Sequence, residues 1–192
     1  MSDFATLPEG LPVPVDDGGA DGLAGSPVPA VALPSTLGGE VRLADVGARL
    51  LVGYVYPMTG TPGEALPDGW DDIPGARGCT PQSCAYRDAL GEFRDLGAEL
   101  VGISAQTPAE QAEFAAREHI PFPLLSDDGL RLAEALGLPT FEADGRTLYR
   151  RLTFIAATGR IVKVIYPVFP PDRDAGEVLA WLGGRADSGA TA

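Results

Sequence analysis

Residues 78–88 read GCTPQSCAYRD and contain the only two cysteines of the chain, Cys79 and Cys84. Thr80 can cap a helix here, and Pro81 suits the first helical position, where a backbone N–H has no partner to lose. Apolar residues then recur at the spacing of one buried helical face: Tyr86, Ala89, Leu90, Phe93 and Leu96. Because Gly97 is a natural stop, the pattern predicts a single amphipathic helix that begins at the cysteine motif.

The two sulfurs are predicted to point in different directions. At about 100° per residue, Cys79 falls within about 20° of the apolar face, and Cys84 points about 140° away from it, on the polar face. The free N–H groups of a first helical turn stabilise a thiolate, so Cys79 is well placed to be reactive.

A disulfide between Cys79 and Cys84 would need a change in the backbone. Five residues along an ideal helix separate the α-carbons by roughly 8–9 Å, and a disulfide needs less than about 7 Å. Either the first turn unwinds or Cys79 lies outside the helix, which is typical of a switch. The alternative is two unrelated thiols, because free cysteine is often a small core residue.

Composition narrows the class of protein. The 192 residues are 45% hydrophobic, which is enough for one domain with a core. The net charge of −13 argues against nucleic acid or an anionic membrane as a partner. We see no apolar membrane span and no secretory signal, so we expect a cytoplasmic protein whose cysteines are catalytic or redox-sensing. With one histidine, a zinc site would need carboxylate ligands, and we expect none.

Strands and helices are predicted to alternate along the rest of the chain. The predicted strands are 30–33, 41–43, 50–56, 99–104, 122–125, 148–156 and 160–166, and the further helices are 107–118, 130–136 and 174–182. This order indicates an α/β fold with a mixed central β-sheet flanked by helices. Residues 1–27 are predicted to be an extended arm rich in Pro and Gly, residues 28–182 the domain, and residues 183–192 a disordered tail.

The predicted topology places Cys79 where open α/β sheets carry their chemistry, beyond the C-terminal end of a strand, here 50–56. The long connection 58–78 must lie beside Cys79, and loops of this length inside a domain are usually functional. Trp70 in this connection either packs over the site or pins the loop to the core.

The order of these motifs resembles the peroxiredoxins, which are peroxidases with a thioredoxin-like fold, and most closely their bacterioferritin-comigratory or Q-type branch. The matching segments are YVYP at 54–57, the cysteine motif at 78–88, VGIS at 101–104, FPLLSD at 122–127 and RLTFI at 151–155. The resemblance runs from about Val28 to Leu182.

The resemblance implies a role for four residues. Cys79 would be the peroxidatic cysteine, Cys84 the resolving cysteine, Arg151 the site arginine, and Pro57 the proline that shields the thiolate. Arg150 and Arg151 must point to opposite faces of a strand, so only one can serve, and we expect Arg150 to be solvated.

The resemblance also implies a reaction cycle. Cys79 would reduce a peroxide and become a sulfenic acid, Cys84 would form a disulfide with it, and a dithiol such as thioredoxin would reduce the disulfide. No cofactor is implied, and the Q-type branch suggests a monomer.

The apolar loop residues Leu66, Trp70 and Ile73 slightly favour organic hydroperoxides over hydrogen peroxide.

The chain departs from the family pattern in two places. An insertion separates Pro57 from Cys79, and Ala76 stands three residues before Cys79, where the family has the threonine or serine that holds the peroxide. We hypothesise that Thr59 or Thr61 folds back to supply the missing hydroxyl.

Two other functions remain open at this point. One is a thiol–disulfide oxidoreductase of the same fold, which the missing hydroxyl favours, although such enzymes usually carry C-x-x-C. The other is a non-enzymatic redox sensor in which a disulfide remodels a partner surface.

Overall fold

The apolar run at 50–56 forms the central strand of the main sheet, as predicted. In the computed structural model, which describes Phe4 and residues 6–47 and 49–189, this strand is buried at every position after its first. The strands in the described residues are β1 Ala32–Pro34, β2 Glu40–Arg42, β3 Leu50–Val55, β4 Ala98–Ser104, β5 Leu124–Ser126, β6 Thr140–Ala143, β7 Arg146–Tyr149, β8 Leu152–Ala157 and β9 Arg160–Ile165.

Helices connect and cover these strands. The α-helices in the same residues are α1 Leu43–Val46, α2 Cys79–Asp88, α3 Leu90–Asp95, α4 Pro108–Arg117, α5 Arg131–Leu136 and α6 Asp174–Gly189. Short 3-10 helices lie at Trp70–Asp72 and Pro171–Arg173. No helix in the described part of the chain combines the length and the apolar character needed to cross a bilayer.

The main sheet is mixed and has the strand order β5–β4–β3–β8–β9. β3 pairs in parallel with β4, which pairs in parallel with β5, whereas β8 is antiparallel to both β3 and β9. Two antiparallel pairs, β1–β2 and β6–β7, stand outside it. The predicted α/β class with a mixed sheet flanked by helices is confirmed.

Both faces of β3 are covered because its side chains alternate between two cores. Leu51 and Val55 pack in one core with Trp70, and Tyr54 lies in the other with Cys79. On that second face the Tyr54 ring stacks on Tyr86 of α2 with 4.4 Å between ring centroids. This contact fixes α2 directly on the central strand.

The predicted cysteine helix is correct in place and wrong in two details. Gly78, at φ 103°, precedes α2 in a left-handed conformation that only glycine adopts readily, so Cys79 is the first helical residue. Thr80 is therefore buried inside the first turn and makes no capping bond. The helix also breaks at Ala89, where φ −91° and ψ 3° divide α2 from α3.

Other predicted boundaries also differ, including those of β1 and β5, which were predicted at 30–33 and 122–125. The strand predicted at 148–156 is two strands, β7 and β8, and the hairpin β6–β7 was not predicted. The second predicted strand is β2, and Leu43 already belongs to α1. The last helix passes the predicted end at Leu182 and reaches Gly189, because Gly183 and Gly184 take negative φ within it. The remainder of the predicted tail, 190–192, lies outside the described residues.

Two further capping signals, at Thr107 and at Asp127, are confirmed. Thr107 and Glu110 form a complete capping box at the start of α4. Before α5, the carboxylate of Asp127 accepts hydrogen bonds from the backbone N–H groups of Arg131 and Leu132, each 2.8 Å long.

The described residues of the N-terminal arm have little regular structure, and the end of the arm packs along the edge strand β9. The Gly25 N–H donates to the Ile161 carbonyl over 2.7 Å, and the Ile161 N–H donates to the Ser26 carbonyl over 2.9 Å. Leu23 is buried at this contact. The part of the predicted arm at 1–3 and at 5 lies outside the described residues.

Candidate active site around Cys79

Cys79 lies beyond the C-terminal end of β3 at the start of α2, and its side chain is only 3% exposed. Nη2 of Arg151 lies 3.1 Å from the Cys79 sulfur, and the Ala76 carbonyl oxygen lies 3.7 Å from it. When protonated, the thiol donates to this carbonyl, and when ionised, the sulfur accepts from the guanidinium. The sulfur thus has a partner in both states.

Arg151 is buried, and all its other hydrogen-bond partners are neutral. Nε donates to the Gly75 carbonyl, Nη2 donates to the carbonyls of Ala76 and Arg77, and Nη1 donates to Oε1 of Gln82. No carboxylate of the described residues forms an ion pair with this guanidinium. Its positive charge therefore remains available to an anion on the Cys79 sulfur.

Arg150 and Arg151 lie between β7 and β8, not within one strand as predicted, and they still point in different directions. The Arg150 side chain is 38% exposed, with Nε 3.8 Å from a carboxylate oxygen of Asp17. Its guanidinium also lies 5.9 Å from the centroid of the Phe141 ring. The structure brings Arg151 to Cys79 and leaves Arg150 outside.

Pro57 is buried directly after β3, and its carbonyl accepts a hydrogen bond from Oγ of Ser104 over 2.9 Å. It is not among the residues that line the cavity at Cys79. That position is taken by the residues that follow it, Met58, Thr59 and Gly60.

The hypothesis that Thr59 or Thr61 supplies the missing hydroxyl is wrong for this structure, because it requires a threonine within hydrogen-bond reach of Cys79, and the described partners of that sulfur are Arg151 and the Ala76 carbonyl. Thr59 lines the cavity, but its hydroxyl bonds to Oε1 of Gln106 over 3.1 Å, and its backbone N–H bonds to the same oxygen over 2.8 Å. Thr61 lines a neighbouring cavity. At Ala76 the backbone carbonyl, and not a side chain, faces the sulfur and the arginine.

The space beside the Cys79 sulfur is small. The cavity has a volume of about 10 Å³, which is room for about one water molecule. Phe4 of the N-terminal arm and two residues of the insertion, Leu66 and Trp70, help to close it. A cavity of about 510 Å³ lies next to it and shares Met58, Thr59, Gly60 and Leu66.

Both alternatives for Trp70 are correct. The side chain is 3% exposed in the core, and its ring centroid lies 6.1 Å from that of Phe141, which packs against the same core. The same side chain lines the cavity at Cys79. The insertion is therefore anchored to the core by a residue that also covers the site.

Cys84 lies on the other side of α2, half-buried, with its sulfur 3.7 Å from a carboxylate oxygen of Glu118. Burial raises the pKa of this thiol, and the Glu118 carboxylate raises it further. Both cysteines are free, and both belong to α2. A bond between them requires α2 to unwind near its start, as the helical spacing indicated.

Sequence reasoning missed two polar residues of the site. Gln82 carried a signal, because residues three apart lie on one helix face and Gln82 follows Cys79 by that spacing. Asp174 carried none, since it lies far along the chain at the start of α6 and reaches the site through the fold. Among the described residues, no group of three or more His, Cys, Asp and Glu side chains could hold a metal ion.

Comparison with known proteins places this geometry in a family context. A family model described as Redoxin matches residues 23–179. Peroxiredoxin Q, chloroplastic, of Oryza sativa subsp. japonica is 35% identical over 159 residues, which are 82% of this chain and 65% of that protein. The protein of the same name from Sedum lineare is 33% identical over 159 residues, which are 82% of this chain and 76% of the length of that protein. The chain thus spans just under two thirds of the rice protein.

A solved structure shows the same similarity in three dimensions. The crystal structure of peroxidoxin BcpB from Mycobacterium tuberculosis superimposes with a TM-score of 0.68 and 30% sequence identity. The superposition covers 84% of this chain and 96% of that chain.

Proposed function

The chain belongs to the redoxin family, and we propose that it is a thiol-dependent peroxidase of the peroxiredoxin Q kind. Its substrates are hydrogen peroxide or organic hydroperoxides. One observation carries the proposal: the Arg151 guanidinium lies 3.1 Å from the buried Cys79 sulfur and has no other anionic partner in direct contact among the described residues. Such a pair suits a reaction in which a thiolate attacks and negative charge develops beside it.

In the first step, the Cys79 thiolate attacks one oxygen of the peroxide. A sulfur–oxygen bond forms and the O–O bond breaks. The leaving oxygen takes a proton, which the thiol released on ionising, and departs as water or an alcohol. Cys79 is left as a sulfenic acid, and Arg151 stabilises the charge that spreads over the two oxygens in the transition state.

In the second step, Cys84 attacks the sulfenic sulfur. A disulfide forms and the sulfenic hydroxyl leaves with the proton of the Cys84 thiol as water. The start of α2 must unwind to bring the two sulfurs together, because they point to opposite sides of the helix. One chain contains both cysteines, so a monomer is sufficient for the cycle.

The cycle closes when a dithiol reduces the disulfide. One thiolate of the reductant attacks a sulfur of the Cys79–Cys84 bond, and its second thiol releases both cysteines as it becomes a disulfide. A thioredoxin has this chemistry. Continuous recycling of this kind suits a reducing compartment such as the cytoplasm.

The test is the reaction of the reduced protein with peroxide. We expect one equivalent of hydrogen peroxide to be consumed per chain in a stopped-flow experiment, and continuous consumption when thioredoxin and its reductase are added. A protein that reduces insulin disulfides but leaves peroxide intact would instead be a thiol–disulfide oxidoreductase. Mass spectra without a Cys79–Cys84 bond after peroxide treatment would contradict the two-cysteine cycle.

The small cavity at Cys79 predicts a preference for small peroxides, contrary to the expectation from the apolar residues of the insertion, and Leu66→Ala should relax it. The substitution opens the wall between this cavity and the larger one beside it. We expect the rate constant for cumene hydroperoxide, relative to that for hydrogen peroxide, to rise about tenfold in stopped-flow oxidation. Ile73→Ala, in the same insertion but outside the cavity lining, serves as the control and should leave the ratio unchanged. An unchanged ratio in Leu66→Ala would show that peroxide reaches Cys79 by another route.

The contact of Cys84 with Glu118 predicts a pH dependence of disulfide formation. Since the pKa of Cys84 is raised, its thiolate is scarce at neutral pH, and the rate of the second step should increase as the pH rises. Glu118→Gln removes the charge that contributes to this shift and weakens the contact that holds Cys84 away from Cys79. We expect disulfide formation at pH 7 to become faster by on the order of two- to tenfold. The rate is measured by quenched-flow mass spectrometry.

Glu113→Gln is the matched control for Glu118→Gln. Glu113 also pairs with Arg117, at 2.8 Å, but has no contact with Cys84 among the described interactions. Its substitution should leave the second step unchanged. Equal acceleration in both variants would assign the effect to Arg117 and not to Cys84.

A further inference from the structure

Asp174, the first residue of α6, is a buried carboxylate on which three side chains converge. Its Oδ2 accepts hydrogen bonds from Oγ1 of Thr153 and Nε2 of Gln82, both 2.7 Å long, and from the hydroxyl of Tyr86 over 2.8 Å. Its side chain is 1% exposed, and Oδ1 has no hydrogen-bond partner within the described residues. Burial raises the pKa of this carboxyl. Burying a charged acid is costly unless hydrogen bonds offset the loss of water, and the three donors to Oδ2 do so here.

Gln82 connects this carboxylate to the arginine of the site. A glutamine amide has a donating end and an accepting end. Nε2 donates to Asp174, so Oε1 is turned toward Arg151, where it accepts from Nη1. The opposite orientation would place an N–H₂ group against a guanidinium and a carbonyl oxygen against a carboxylate. The charges at the two ends therefore select one orientation of the amide.

From this arrangement we infer that Asp174 is a positioning residue, which holds the Gln82 amide so that it aligns the Arg151 guanidinium with the Cys79 sulfur. The inference rests on the proposed peroxidase function and extends it to a residue in a different part of the chain. The chain of contacts runs from Asp174 to Gln82, to Arg151, and over 3.1 Å to the sulfur.

The other partners of Arg151 explain why its hydrogen bond to Gln82 matters. They are the carbonyls of Gly75, Ala76 and Arg77, which belong to the irregular end of the insertion. Gln82 lies on α2, which is packed on β3. It is therefore the neutral partner of Arg151 that a regular helix holds in place. A donor that stabilises a transition state must be held in place before the reaction begins. Small displacements of such a group can reduce a rate by up to about 10²-fold.

A double-mutant cycle tests the inference. Asp174→Asn keeps the size of the side chain and removes its charge, so the Gln82 amide loses one of the two charges that orient it and is held less firmly. We expect the rate constant for oxidation of Cys79 by hydrogen peroxide to fall about tenfold in the otherwise unchanged protein. In the Arg151→Met background, the same substitution should change the rate constant by less than about twofold. The guanidinium through which Asp174 acts on the sulfur is already absent there.

Tyr149→Phe is the control for a purely structural effect. It removes a buried hydrogen bond from a tyrosine hydroxyl to the carboxylate of Asp127, in the core on the other face of the sheet. It should lower the thermal midpoint and leave the oxidation rate unchanged. Gln82→Met provides a second test of the inference if Asp174→Asn does not fold. It should slow oxidation to a similar degree, and again only when Arg151 is present.

Two results would overturn the inference: an unchanged rate in Asp174→Asn, or the same loss with and without Arg151. Alkylation of Cys79 by iodoacetamide, measured through the same cycle, separates this outcome from failure of the proposed function. If the unchanged protein does not react with peroxide, the peroxidase proposal is wrong. The alkylation rates then still report whether Asp174 acts on Cys79 through Arg151.

Discussion

Replacing Cys79 by serine is expected to abolish peroxide consumption. A serine hydroxyl is not ionised at neutral pH and cannot form a sulfenic acid or a disulfide, so both steps of the cycle are lost. In an assay coupled to thioredoxin and its reductase, the rate should fall to the uncatalysed background. The loss should occur with little change in thermal stability, because serine is close in size to the cysteine it replaces.

Cys84→Ser is the matched control on the same helix. The thiol of Cys84 is half-buried on the side away from the site, where it contacts Glu118, so the first step does not need it. One equivalent of peroxide should still be consumed, and dimedone should trap a sulfenic acid on Cys79. Continued turnover in Cys79→Ser, or a sulfenic acid on Cys84 in the unchanged protein, would reverse the two assignments.

Arg151→Met is expected to lower the rate constant for Cys79 oxidation by about 10²–10³-fold, the usual loss when one preorganised donor to a developing charge is removed. Methionine is of similar length and fills the space without a charge. Arg151→Lys should show an intermediate loss, because an ammonium cannot serve the sulfur, Gln82 and the three backbone carbonyls together. The measurement is stopped-flow oxidation under single-turnover conditions, with circular dichroism to show that each variant is folded.

The neighbouring arginine provides the control for this prediction. Arg150→Met removes a charge of the same sign from the adjacent residue, whose side chain lies against Asp17 and Phe141. Its oxidation rate should stay within about twofold of the original, because the exposed charge of Arg150 is screened by water and salt. A larger loss in Arg150→Met than in Arg151→Met would mean that the two arginines exchange places in the reacting protein.

The insertion between Pro57 and Cys79 is joined to the reactive centre at both of its ends. Its first residues line the cavity beside the sulfur, and the carbonyls of its last residues bind Arg151. Trp70 fixes its middle to the core. The insertion therefore encloses the sulfur and supplies backbone acceptors where the family pattern has a hydroxyl side chain.

The incorrect predictions share one physical origin, which is that they depended on local signals. Thr80 has the chemistry of a cap, but the left-handed Gly78 lets the helix begin at Cys79, two residues before the predicted first position at Pro81. Thr59 has the required hydroxyl, but Gln106, which is distant in the chain, binds that hydroxyl first. The run 148–156 has the pattern of one strand, yet pairing of β6 with β7 ends the first half of it before Arg150. In the second and third cases a contact with another segment outweighed the local preference, and in the first the backbone of Gly78 did so.

Periodicity and motif order were enough to establish the α/β class, the central strand, the cysteine helix and the opposite directions of Cys79 and Cys84. These features depend on repeats of 2.0 and 3.6 residues, which are properties of the chain alone. The alignment of Arg151 with the sulfur, the closure of the cavity by the insertion and the support from Asp174 required the folded molecule. They join residues that are distant in the chain, and no local pattern encodes which carbonyl, amide or carboxylate packing will bring into contact.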